Sequence, residues 1–241
     1  MDFTSLYTTH VKSSFDDDQA EILKIFNDNL LSKEDLKVTI INYFKELPIV
    51  YPATVVAVER GSLDLDINPQ QAVAIASDRY TLIRSKLFTH EIAGHVQYVN
   101  IKKHAVTLNK LCYVEVLADK RTAVRLGLDP PVQATICCGD QKFSGELLDI
   151  SVQGLAISIV NFLDLESGTE VSVEFILLDP VLLNQTPVTI SARLVAVEGD
   201  SSPYRCKFRI APDKHQEQLI ARFSFQRQVE IIRSLKVIAG S

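Results

Sequence analysis

No stretch of the 241-residue chain approaches the ~20 consecutive apolar residues needed to span a bilayer. The opening MDFTSLYTTHVKSSFDDD also lacks the basic start and continuous apolar segment of a secretory signal. Membrane insertion is therefore not expected, and a cytoplasmic location is. Cysteine is scarce: Cys112, Cys137, Cys138 and Cys206 form no Cys-x-x-Cys pair, which removes the common zinc and redox motifs. The adjacent Cys137 and Cys138 would face opposite sides of a strand, and buried free thiols are the expected state. Net positive charge is missing too. A formal charge of −5 argues against a protein that coats DNA or RNA, so any nucleotide site must be local. There is no Gly-x-Ser-x-Gly elbow, no glycine-rich phosphate loop ahead of a helix, and no recognisable catalytic setting around the five histidines. The sequence does not advertise an enzyme, and no period of repeat type or low-complexity tract appears.

What is present is a chain with 46% apolar and 23% charged residues, ordinary for a globular protein and long enough for one large domain or two modest ones. Residues 16–31 read as an amphipathic helix. Asp16, Asp17 and Asp18 sit where carboxylates favour the helix dipole, and Ile22, Phe26 and Leu30 recur at helical spacing. Val38 to Phe44 is read as a strand from its content of strand formers. Short strands follow to about residue 116: TVVAVER, SLDLDI, AVAIAS, YTLIRSKL, HVQYVNIKK and HAVTLNK, separated by turn residues such as Gly61, Asn68-Pro69 and Gly94. A second series comprises VQATICCG, KFSGELLDIS, LAISIV, TEVSVEFILL, PVTISARLVAVE and YRCKFRIA. Two runs of short strands predict a mainly β protein of two β domains, divided near LNKLCYVEVLADKR. The tail, DKHQEQLIARFSFQRQVEIIRSLK, turns to helical spacing and is expected to lay one face on a barrel.

Three segments invite a chemical reading. THEIAGHVQ resembles the zinc-protease pattern only superficially, because His90 and His95 are five apart. On a helix that is ~140° of rotation, so the two rings could not share a metal, and no metal site is expected. DKRTAVRLG carries Arg121 and Arg125 at a spacing of four where the two β series meet; alone, such a pair is most simply solvated surface. LLDISVQGLAISI interrupts strand formers with Asp149-x-Ser151-x-x-Gly154. Alone, that is a hairpin turn, with Gly154 supplying positive φ, although period 2 would project Asp149 and Ser151 from one face.

Taken together and in this order, KRTAVR and DISVQG resemble the signature of the PilZ domain, a bacterial receptor for cyclic di-GMP, over about residues 112–241. The preceding half is similar in layout to the N-terminal split barrel of YcgR-type flagellar-brake proteins. The resemblance implies two β-barrel domains: residues 1–111, a split barrel with a leading helix, and residues 112–241, a six-stranded barrel with the linker Arg motif and a C-terminal helix. Met1 to Phe15 stay unassigned, and Cys206 in YRCKF stands where the family often has glycine. The implied ligand contacts are Lys120, Arg121, Arg125, Asp149, Ser151 and Gly154. Their chemistry suits a guanine dinucleotide. Arginine can bond guanine O6 and N7, grip a phosphate or stack on a purine, and a carboxylate accepts from guanine N1–H and N2–H. Ser151 would add a hydroxyl contact, and Gly154 would keep the turn clear of the ligand. A basic residue at position 120 goes in the family with an intercalated ligand dimer, hence two ligands per site. The expected protein is a cytoplasmic bacterial receptor that changes interdomain arrangement on binding and regulates motility, biofilm or virulence, with no cofactor. Its partners, beyond the ligand, would be a flagellar motor or other effector and a second copy in a homodimer, not DNA or RNA. Two alternatives stay open: a split-barrel flavin oxidoreductase, and a PilZ adaptor that has lost ligand binding.

Overall fold

The computed structural model describes residues 6–32, 35–117, 123–161, 164–178 and 184–240. The chain divides into two compact units. One comprises Met1–Phe44, Pro48–Thr122 and Ile232–Ser241; the other comprises Lys45–Leu47 and Ala123–Ile231.

In the first unit, β1 (Tyr7–Thr9) and α1 (Phe15–Ser32) precede β2 (Leu36–Phe44), β3 (Leu47–Glu59) and β4 (Ser62–Asp66). After them come α2 (Pro69–Asp78), β5 (Tyr80–Arg84), β6 (Glu91–Asn100) and β7 (Ala105–Val116). The strand order is β1-β7-β4-β3-β2-β5-β6, and β6 pairs back onto β7, so six strands close on themselves. β7 is long enough to take β4 along Ala105–Leu108 and β1 along Val114–Val116. The interior is mainly aliphatic, built from alternate residues such as Val38, Ile40, Leu63, Leu65 and Leu108, with Phe26 and Tyr113 buried among them.

The acidic start of α1 acts as a cap. Asp18 is buried and accepts from the backbone N–H of Lys12 (2.8 Å) and Ser13 (3.2 Å), while Ser14 Oγ accepts from the Asp17 N–H at 3.1 Å. Ile22 and Phe26 carry the buried face. One expected strand is a helix: AVAIAS belongs to α2. The helix is set at its ends, where the Asn68 side chain accepts from Gln70 N–H, Pro69 occupies the first turn, and Arg79 closes it in the left-handed conformation (φ 64°). Its inner face delivers Gln71 to a buried polar network around Asn42. The Asn42 amide donates to Asp78 Oδ2 (3.1 Å) and the Tyr80 carbonyl (2.8 Å), and its oxygen accepts from Gln71 Nε2 and Thr81 Oγ1, both at 2.7 Å.

The second unit holds β8 (Leu126–Cys138), β9 (Gln141–Ser151), β10 (Gly154–Ile159), β11 (Glu170–Leu178), β12 (Gln185–Glu198) and β13 (Tyr204–Ile210). These six form a closed antiparallel barrel in the order β10-β13-β12-β11-β8-β9. Inward residues alternate along β11 (Val171, Val173, Phe175 and Leu177), while a register shift sets the inward Leu147 and Ile150 of β9 three residues apart. The helix α3 (Lys214–Gly240) follows, and its Leu219, Ile220 and Phe223 join the barrel core. The expected mainly β architecture of two barrels, with a helix early in the chain and one at its end, is therefore the observed one, with α2 added. The thiols differ from expectation. All four are free, but only Cys206 is buried; Cys112, Cys137 and Cys138 are half-buried.

Candidate functional site

The stretch LLDISVQGLAISI forms the β9–β10 hairpin. Val152 and Gln153 make the turn, and Ser151 pairs with Gly154. The Ser151 hydroxyl is committed to it, accepting from the N–H of Gln153 (3.3 Å) and Gly154 (3.1 Å) and donating to the Gly154 carbonyl (3.1 Å). A hydroxyl contact to a ligand would have to replace one of these bonds. Gly154 is required for a different reason from the one the sequence suggests. Its φ is not positive; instead, a Cβ there would lie 2.8 Å from the Phe208 carbonyl oxygen of β13. Glycine lets two strands approach beside the turn.

Leu155, Ile157 and Ile159 of β10 point into the core, so Gly154, Ala156 and Ser158 face outward. This row of short side chains is flanked on both sides. On β9, Asp149 stands opposite Ala156; on β13, Arg209, Lys207 and Arg205 stand opposite Gly154, Ala156 and Ser158. The start of β8 pairs with the end of β9, Gly127 opposite Asp149, which brings the loop residue Arg125 to the same place.

Asp149 is the centre of this arrangement. Its side chain is 1% exposed; Oδ2 accepts from Arg205 Nη2 at 2.5 Å, and Arg125 Nε lies 3.9 Å from Oδ1. The two arginine side chains are 27% and 34% exposed, so a buried anion sits under two accessible cations. Oδ1 has no hydrogen-bond partner among the described residues, and neither does the buried Nε of Arg205. One acceptor and one donor are thus unmet within a single ion pair, an arrangement that costs stability unless something supplies the missing bonds. A groove of about 950 Å³ on this barrel is lined by Gly168, Glu170, Arg193, Leu194, Arg209 and their neighbours, and Arg125, Asp149 and Arg205 do not line it.

The PilZ domain family matches residues 119–226. The chain carries a PilZ domain. The matched stretch spans the whole barrel and both motifs. Among solved structures, the chain is similar to Escherichia coli YcgR in complex with c-di-GMP (13% identity, 91% of this chain and 93% of that one, TM-score 0.44). It is similar to the K. pneumonia MrkH–c-di-GMP complex (16%, 90% and 96%, TM-score 0.45) and to the Bacillus subtilis inhibitor of motility MotI/DgrA (12%, 81% and 97%, TM-score 0.43). No curated protein matches the chain.

Within the PilZ domain, Arg125, Asp149, Ser151 and Gly154 lie together; Lys120 and Arg121 lie outside the described residues. Arg205 is the participant that sequence reasoning missed. Period 2 could have flagged it, because Arg205, Lys207 and Arg209 alternate with the core residues Cys206, Phe208 and Ile210. Nothing in the sequence, however, says which strand β13 lies beside. His95 is exposed on β6, and the His90 ring stacks on His10 at 4.3 Å. Among the described residues no group of three or more His, Cys, Asp or Glu side chains could hold a metal ion.

Proposed function

We propose that this chain is a receptor for cyclic di-GMP that binds the ligand without transforming it. The observation that carries the reading is the meeting of two motifs 24 residues apart in sequence: Arg125 Nε stands 3.9 Å from the buried Asp149, whose Oδ1 lacks a hydrogen-bond partner among the described residues. In the bound state Asp149 accepts from a guanine edge, while Arg121 and Arg125 grip base or phosphate as planar cations. Ser151 and Gly154 hold the hairpin that presents Asp149, and Lys120 adds charge for a stacked ligand pair, giving two ligands per chain. Each bidentate base contact is worth ~1–3 kcal/mol, enough in combination for micromolar binding or better.

The test is calorimetric. Asp149→Ala or Arg121→Ala weakens cyclic di-GMP binding at least tenfold with an unchanged circular dichroism spectrum; undiminished binding by both variants removes the site assignment. A stoichiometry of one removes the stacked pair.

The Arg motif lies in the sequence joining the two units, so ligand contact there changes the interdomain arrangement. A ligand can shift that equilibrium only through different contacts in the two states, and the linker arginines supply them. Identical small-angle scattering profiles with and without saturating ligand would exclude this. Regulation of motility, biofilm or virulence is the output this reading assigns.

A further inference from the structure

We infer that Arg205 and Asp149 form one base-reading unit that selects guanine, with Arg205 both positioning the carboxylate and supplying a donor of its own; this rests on the receptor reading above. The guanine edge presents two donors, N2–H and N1–H, beside an acceptor, O6, and adenine presents an acceptor at N1 beside the donor N6–H. A carboxylate only accepts and a guanidinium only donates. Side by side they complement guanine and oppose adenine, whose N1 lone pair would face a carboxylate oxygen.

The barrel sets the two groups in this relation. Asp149 and Arg205 stand on strands flanking β10, opposite Ala156 and Ser158, and the outward side chains of β10 are too short to intervene. Arg205 Nη2 fixes Oδ2 at 2.5 Å, which holds the carboxylate in one orientation and compensates its buried charge. An unpaired ion in this place would be expensive. Among the described residues, Oδ1 and the Arg205 Nε–H have no partner, one acceptor and one donor. Lys207 is engaged with Glu198 at 2.5 Å, so it does not compete for Asp149.

The inference is tested by titrating the full-length chain with cyclic di-GMP and with cyclic di-IMP, which keeps O6 and N1–H but lacks the 2-amino group. Wild type should prefer cyclic di-GMP. Arg205→Met should weaken cyclic di-GMP about tenfold or more, the equivalent of one good base contact, and collapse the preference between the two ligands, because the carboxylate is no longer held. Arg205→Lys keeps the charge and the fold. It should weaken both ligands by a similar factor and retain the preference, since the lost O6 donor serves both. Three results overturn the inference: either variant binding like wild type, Arg205→Met weakening both ligands equally, or, should Arg205→Met not fold, Arg205→Lys matching wild type. If Asp149→Ala binds cyclic di-GMP undiminished, the receptor reading of this site fails instead, whatever the Arg205 variants do.

Discussion

Gly154→Ala separates two reasons for a glycine at the hairpin. The φ angle of Gly154 is one that any L-residue can take, so a purely conformational account predicts little cost. The packing account predicts a large one. An added Cβ would stand 2.8 Å from the Phe208 carbonyl oxygen, well inside ordinary carbon–oxygen contact, and the obstacle is backbone that cannot swing aside. Strands β10 and β13 must separate by several tenths of an ångström where they pair Leu155 with Phe208. Overpacking of this kind costs ~1–3 kcal/mol. In urea, with slopes of ~1–3 kcal/mol/M, the midpoint should fall by about 0.5–2 M at unchanged slope. Gly154→Asn should be no better than alanine, because relief from positive φ is not what the position needs. Gly139 is the converse control, with φ 56° and nothing within 4 Å of a Cβ. There alanine should cost ~1–2 kcal/mol through conformation and asparagine less. A Gly154→Ala protein as stable as wild type, or one rescued by asparagine, would refute the close-approach argument.

Asn42→Ala removes the hub of the buried network, leaving Gln71 Nε2, Asp78 Oδ2 and the Tyr80 carbonyl each short of one bond, while Thr81 can turn to the Ile41 carbonyl at 3.5 Å. Gln71 Nε2 is the donor that loses its acceptor, at ~1–3 kcal/mol for an unmet buried group, so the loss should be about 1–3 kcal/mol in denaturant unfolding; less than about 1 kcal/mol would show that the network reforms. Burial pushes the Cys206 thiol up from 9.0 to about 11. The unfolded chain therefore loses this proton first, so the thiol's contribution is complete below about pH 9 and is lost as pH rises towards 11. At 1.36 kcal/mol per pH unit the loss approaches about 2–3 kcal/mol. Stability measured across that range should fall less steeply in Cys206→Ala than in wild type, and parallel curves would contradict the assignment.

Much of this fold is legible because its strands alternate. On β11 and β13 every second residue enters the barrel, and period 2 is visible without knowing any neighbour. The segment AVAIAS fails for the same reason in reverse: four successive residues, Ala72 to Ile75, are buried, so no alternation distinguishes strand from helix, and the caps Asn68 and Arg79 decide it. The short β1 was invisible because its residues gain a partner only from the far end of β7. The site divides in the same way. Asp149, Ser151 and Gly154 announce themselves by local spacing, whereas Arg205 belongs to the site only through cross-strand register. The reason for Gly154 was likewise hidden, since it depends on Phe208, a residue of another strand.

Isothermal titration of the intact chain with cyclic di-GMP, with linear GMP as the control ligand, tests the central claim most directly. The account predicts saturable binding in the micromolar range or tighter, about 8 kcal/mol or more of binding free energy, with GMP far weaker because a mononucleotide offers one base and one phosphate. No heat of binding at ligand concentrations well above that range, or equal binding of GMP, would contradict it.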